Sequence, residues 1–172
     1  FGNGSASVLV STNVASRGLD IPALPMVIIA ELSPDPENHL HRIGRTGRAG
    51  EQGLAVSVVS GEREHARLKE TEAYMMQSVP EGPELDRAQR LDFLQPPNRT
   101  LLILSGRKDK LRKGDVLGSL VKDGKIPPDA IGRIDLMQRV CGVAVARAFA
   151  KQALQHVREG RIKKKRVRAQ LL

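Results

Sequence analysis

Along this 172-residue chain the apolar residues come in short unbroken runs, joined in the second half by alternating and striped stretches. Val8-Leu9-Val10, closed by Ser11-Thr12, reads as a buried strand, and Val27-Ile28-Ile29-Ala30 as a second. Between them lie a polar turn from Asn13 to Asp20 and the stop Ile21-Pro22. Ser33-Pro34-Asp35-Pro36-Glu37 is a helix start, with Asp35 at the N-cap and Pro36 at the first helical position. That helix carries Asn38 to Ile43. Leu54 to Val59 reads as a third strand, and Glu62 to Met75 as a helix with acids in its first turn. Strands alternating with helices, and apolar on both faces, predict a parallel α/β sheet.

Residues 78–97 contain four prolines (Pro80, Pro83, Pro96, Pro97) and read as a linker, with room for a short helix from Leu85 to Leu94. Beyond it, Leu101 to Ser105 is an apolar strand. Lys113 to Val121 is a helix with Val116, Leu117, Leu120 and Val121 on one side, and Pro127-Pro128 closes the connection. Ile131 to Leu136 alternates, with Ile134 and Leu136 on one face and Arg133 and Asp135 on the other. Val143 to Ala146 is the next strand. Arg147 to Glu159 is a helix striped by Phe149, Ala153 and Val157 and ended by Gly160. Arg166 to Leu171 is the last strand. This βαββαβ order is that of the ferredoxin-like and RNA-recognition folds. The predicted organisation is an α/β part over 1–77, a linker over 78–98 and an α+β domain over 99–172.

Charge sharpens that division. Residues 1–97 hold nine Lys/Arg against thirteen Asp/Glu, a net of −4; residues 98–172 hold nineteen against six, a net of +13. A basic module of that strength calls for a polyanion. No run of 18 apolar residues occurs, so no membrane span is expected. The single cysteine, Cys141, excludes an internal disulfide and fits a reducing, cytoplasmic setting. The four histidines (His39, His41, His65, His156) show no metal-ligand spacing with one another or with Cys141, so no metal site is expected. A chain that begins with Phe is expected to be a fragment or a processed product.

His41-Arg42-Ile43-Gly44-Arg45-Thr46-Gly47-Arg48-Ala49-Gly50 sets three arginines at a spacing of three among glycines. Such arginines repel one another unless an anion lies between them, and the planar guanidinium suits phosphate. This stretch, together with Thr12-Asn13-Val14-Ala15-Ser16-Arg17-Gly18-Leu19-Asp20-Ile21-Pro22, resembles motifs VI and V of the DEAD-box RNA helicases, in the right order. The resemblance covers roughly residues 1–77. It implies the second half of the second RecA-like domain of an ATP-dependent RNA helicase. It further implies that Arg45 and Arg48 act as arginine fingers on the γ-phosphate of ATP, and that Arg42 ties motif VI to the partner domain. Asp20 would contact the ribose, Thr12 the RNA backbone, and Arg17, Gly18 and His41 would couple the two sites.

The stretch Ser105 to Gly118, followed by Ile131-Gly132-Arg133-Ile134 and Gly160-Arg161-Ile162-Lys163, resembles the RNA-binding domain of DbpA-type DEAD-box helicases. That implies a structured large-subunit ribosomal RNA as target and ribosome assembly as the process. The common RNA-recognition pattern stacks bases on aromatics of its central strands, yet Leu101–Ser105 and Val143–Ala146 have none. Binding is therefore expected to rest on cations meeting phosphate and on arginine stacking. The candidates are Arg107, Lys108, Lys110, Arg112 and Lys113 in one loop, and Arg161, Lys163, Lys164, Lys165 and Arg166 in another.

The chain contains neither a G-x-x-x-x-G-K-[ST] loop nor a DEAD sequence. By the resemblance, ATP and Mg²⁺ are held mainly by a first RecA-like domain that this sequence lacks, and the chain by itself is expected not to hydrolyse ATP. The rival reading is a non-enzymatic RNA-binding protein that retains a helicase remnant; the coding sequence upstream of Phe1 discriminates the two.

Overall fold

Met26–Ile29 (β1) and Leu54–Ser57 (β2) pair in parallel, with Met26 opposite Leu54 and Ile29 opposite Ser57. The computed structural model describes residues 1–12, 24–47, 50, 52–82 and 94–172. The chain forms two compact units, one of residues 10–91 and one of residues 1–9 with 92–172.

In the first unit, Pro36–Ile43 (α1) packs against β1, and Gly61–Met75 (α2) packs against α1. The predicted cap is present: Asp35 accepts from the Glu37 amide at 3.0 Å and from Asn38 Nδ2 at 2.6 Å. Glu64, in the first turn of α2, accepts from the Ser60 amide at 2.8 Å, and that bond holds its carboxyl below the usual range. Burial falls on one face of the two-stranded sheet. Ile29 is buried there, while Met26, Ile28, Leu54 and Val56 on the other face are exposed. The parallel pairing is thus as predicted, but the strands are covered on one side only. Val8-Leu9-Val10 corrects the prediction: it is not a strand, and all three residues are exposed. Among the described residues it has no neighbouring strand to take its backbone donors and acceptors, without which an extended segment gains nothing over coil. The third predicted strand stops at Ser57, although the Val58 amide still donates to Ile29 O at 2.9 Å.

The second unit carries the predicted βαββαβ order: Asn98–Ile103 (β3), Lys113–Gly118 (α3), Ile131–Leu136 (β4), Cys141–Ala146 (β5), Ala150–Glu159 (α4) and Ala169–Leu171 (β6). The antiparallel sheet runs β4-β5-β3-β6, with β3 and β5 central. Leu101, Ile103, Val143 and Val145 on its inner face are fully buried with Val116, Leu120, Ala153 and Val157 from the helical side. The outer face carries Asn98, Thr100 and Leu102 of β3 and Gly142, Ala144 and Ala146 of β5, with no ring among them. Asn3 Nδ2 donates to Thr100 Oγ1 on this face at 2.9 Å, and Asn98 Nδ2 donates to Asn3 O at 3.0 Å.

Several element boundaries differ from the sequence reading: β3 spans Asn98–Ile103 rather than Leu101–Ser105 and β5 begins at Cys141 rather than Val143, and three further differences follow. The helix from Lys113 is α-helical only to Gly118 and continues as a π-helical turn over Ser119–Asp123. The wider turn buries Leu120 while Ser119 Oγ meets His156 Nε2 of α4 at 3.0 Å; Leu117, placed by periodicity on the buried stripe, is exposed. Arg147–Phe149 forms a 3₁₀ turn ahead of α4, so Phe149 packs on the core from the turn rather than from the helix. The last strand begins at Ala169 rather than Arg166. Its partner β3 has already left the sheet, because Gly106 turns tightly against Met137 and Gln138, so Arg166 and Val167 find no ladder.

Candidate nucleotide and nucleic-acid sites

Motif VI lies on α1 and the turn after it. Arg42, in the last turn, donates from Nη1 to the carbonyl oxygen of Glu31 at 2.7 Å and so braces the helix end against the segment following β1. Beyond Gly44 the chain folds back on residue 24: Leu24 N donates to Arg45 O at 3.0 Å, and the Thr46 hydroxyl donates to Leu24 O. Gly53 approaches Thr46 so closely that a Cβ there would overlap the Thr46 side chain. Arg45 is half-buried, and its Nε is buried without a hydrogen-bond partner among the described residues. A buried guanidinium donor left open in this way fits an anion, the chemistry a triphosphate supplies. His41 is exposed, as is Thr12. Arg17, Gly18, Asp20 and Arg48 lie outside the described residues. Among the described residues no group of three His, Cys, Asp or Glu side chains could hold a metal ion.

His39, on α1 two residues before His41, escaped the sequence reading as a site component. It is 2% exposed, its Nδ1 has no partner among the described residues, and burial with the nearby Arg42 charge holds it below its ordinary pKa. Thr46 and Gly53 were also passed over; the small residue opposite a hydroxyl would be the only sequence signal for that contact.

In the second unit the two predicted basic loops meet. Ser105 and Gly106 open the first: Asp109 accepts from the Gly106 amide at 3.0 Å and from Ser105 Oγ at 3.1 Å, closing a 3₁₀ turn over Arg107–Asp109. Those two bonds, with Lys165 nearby, hold the Asp109 carboxyl below its usual range. Arg107 and Lys108 are fixed through their amides, which donate to Met137 O at 2.9 Å and Gln138 O at 3.0 Å, leaving both side chains exposed. Lys110 adopts φ +63°. Arg112 N donates to Asp115 Oδ2 at 2.9 Å, which starts α3 and leaves Arg112 and Lys113 exposed.

The second loop is a two-residue hairpin. Ile162 and Lys165 exchange backbone bonds at 3.0 Å each, with Lys163 (φ +51°) and Lys164 (φ +66°) at its tip. Lys163 Nζ donates to Lys110 O at 3.1 Å and lies 3.5 Å from Asp115 Oδ2, joining this hairpin to the first loop. Beside the junction is a shallow groove of about 280 Å³ lined by Leu104, Ser105, Asp109, Lys165, Arg166, Val167 and Arg168. Arg161, Lys163, Lys164, Lys165 and Arg166 are exposed. Arg168 was missed as a site residue; its alternation with Arg166 was the available signal.

The sequence comparisons agree in both halves. The helicase conserved C-terminal domain matches residues 1–50, and the DbpA RNA-binding domain matches residues 100–171. The ATP-dependent RNA helicase DbpA of Escherichia coli is 42% identical over 172 residues, all of this chain and 37% of the relative. In both halves the chain resembles the DbpA-type DEAD-box helicases. The DbpA of Bacillus subtilis is 29% identical over 189 aligned positions, covering 98% of this chain and 39% of that protein. Among solved structures, the yeast DEAD-box splicing factor Prp28 is 36% identical over 40% of this chain and 17% of its own, with a TM-score of 0.29. The chain thus spans under two-fifths of the length of these DbpA relatives. Its fold is a RecA-like parallel part followed by the α+β domain.

Proposed function

We propose that this chain is the RNA-anchoring end of an ATP-dependent RNA helicase, arranged as a helicase part (1–77), a linker (78–98) and an RNA-binding domain (99–172). The observation that carries the reading is the single basic surface formed where Arg107–Lys113 meets Gly160–Arg166. Cations spread over two adjoining loops suit the phosphates of a folded RNA, whose shape rather than base sequence is presented. The outer face of the sheet has no ring to stack a base, which favours the loops over the face. The target we propose is a structured region of large-subunit ribosomal RNA, with ribosome assembly in the cytoplasm as the process.

In the intact enzyme ATP would supply the free energy for prying strands apart. Arg45 and Arg48 are the residues of this chain that would meet its terminal phosphate, and a guanidinium there stabilises the charge that builds on phosphoryl oxygens. The buried, open Nε of Arg45 supports that role. Mg²⁺ finds no ligand set among the described residues.

The test is binding of the 172-residue chain to hairpins drawn from large-subunit ribosomal RNA, against an unrelated hairpin, across about 50 to 200 mM salt. Tighter binding to the ribosomal hairpin with a steep salt slope is expected. An affinity flat in salt overturns the electrostatic reading, and equal affinity for both hairpins overturns the ribosomal target.

A further inference from the structure

Ten of the cations in the two loops look interchangeable in the sequence, but the structure divides them. Among the described residues, Lys163 is the one whose side chain makes a hydrogen bond or ion pair to the other loop, at Lys110 O (3.1 Å) and the Asp115 carboxylate (3.5 Å). Asp115 Oδ2 also accepts from the Arg112 amide, so one carboxylate fixes both the start of α3 and the tip of the hairpin. The backbone agrees. Lys110, Lys163 and Lys164 all take positive φ, a conformation that costs a non-glycine residue roughly 1 kcal/mol and persists only where the surroundings hold it. Both Lys163 and Lys164, neighbours in the same turn, are exposed; what separates them is the pair of contacts that the Lys163 ammonium makes.

Resting on the RNA-binding reading above, we propose that Lys163 is a positioning residue that locks the two loops into one RNA-binding surface, while its neighbour Lys164 meets phosphate directly. The ammonium of Lys163 lies on the Asp115 carboxylate, so its charge offsets that of Asp115 although the side chain remains 48% exposed. The left-handed pair at the tip lets consecutive lysines serve opposite ends, one bracing the loops and one free for the ligand.

The experiment measures the affinity of the full chain for an RNA hairpin with a duplex stem as a function of salt. Lys164→Met is expected to lower the salt slope by about one, as loss of a phosphate contact does. Lys163→Met is expected to weaken binding severalfold with the slope unchanged, and Lys163→Arg, which can rebuild both contacts, to restore it. Asp115→Asn, which keeps an acceptor for Arg112 N but removes the charge, should act in the same direction as Lys163→Met with a smaller loss. A Lys163→Met slope lowered by about one overturns the brace and makes Lys163 a phosphate contact. Unchanged affinity in both Lys163→Met and Asp115→Asn also overturns it. A wild-type affinity that does not respond to salt overturns the RNA reading itself, which separates the two failures.

Discussion

Arg42 Nη1 donates to the carbonyl oxygen of Glu31 at 2.7 Å, which ties the C-terminal end of α1 to the segment that leaves β1. This bond sets the direction in which the chain emerges toward Arg45. Leu24 and Thr46 then hold the emerging turn from the other side. Arg45 is therefore delivered on a fixed turn, its Nε buried and without a partner among the described residues.

Arg45→Ala, made in a full-length helicase that carries this chain, should lower ATP turnover on the order of 10³-fold. RNA affinity through the basic domain should be nearly unchanged, because no basic-loop residue is altered. Steady-state phosphate release and RNA titration check both halves. Turnover within a few fold of the parent removes Arg45 from the phosphate.

His39 gives the first unit a defined response to acid. Its folded-state pKa lies below the ordinary 6.5, first because it is buried and second because Arg42 is near. Between the two pKa values the unfolded chain binds the extra proton, so stability rises with pH. The contribution is complete above pH 6.5 and is lost as pH falls from there toward the folded value. Denaturant titrations at stepped pH should show this loss, and His39→Gln should flatten it. A variant with the parent's profile would assign the loss to other groups.

Gly106→Ala should destabilise the second unit by about 1–3 kcal/mol, the usual cost of overpacking. The added Cβ would lie 2.5 Å from Met137 O and 2.6 Å from Gln138 O, backbone atoms that cannot swing aside. The same shift would disturb the amide bonds of Arg107 and Lys108, so RNA affinity should fall as well. A chemical melt with parental midpoint would show that the turn has room to relax.

The uncovered face of β1 and β2 should bind an apolar dye in the native state. Ile28 is 64% exposed and Leu54 52%, with Met26, Val56 and Val58 also exposed. A contiguous apolar stripe of this kind promotes association. Replacing Ile28 and Leu54 together by Lys should lower dye fluorescence and raise solubility. Equal fluorescence in parent and variant would mean that the face is covered in solution.

Much of the local structure was legible in the residues. Asp35 and Pro36 specified the start of α1, period-2 alternation specified β4, and the strand–helix order specified the second unit. Val8-Leu9-Val10 failed because a strand is stabilised by its neighbours, and apolar character alone supplies none. Arg166–Arg168 failed for a related reason: alternation is necessary for a strand, but the ladder ends where Gly106 draws β3 away. Leu117 lies in α3 beside the buried Val116 but stays 41% exposed, so the stripe of α3 is narrower than apolar character alone suggested.

Residue type and order alone carry the family resemblance, the split between an acidic and a basic half, and the lack of stacking rings on the central strands. These are properties of residue type and order, which short-range physics converts directly into propensity and charge. Only the tertiary structure decided that Lys163 reaches Lys110 across 53 positions, that Thr46 closes on Leu24, and that His39 is sealed from water. Such contacts depend on which strands pair and where a turn ends. The pairing energy is collective, spread over the sheet and core, and no single stretch of sequence encodes it.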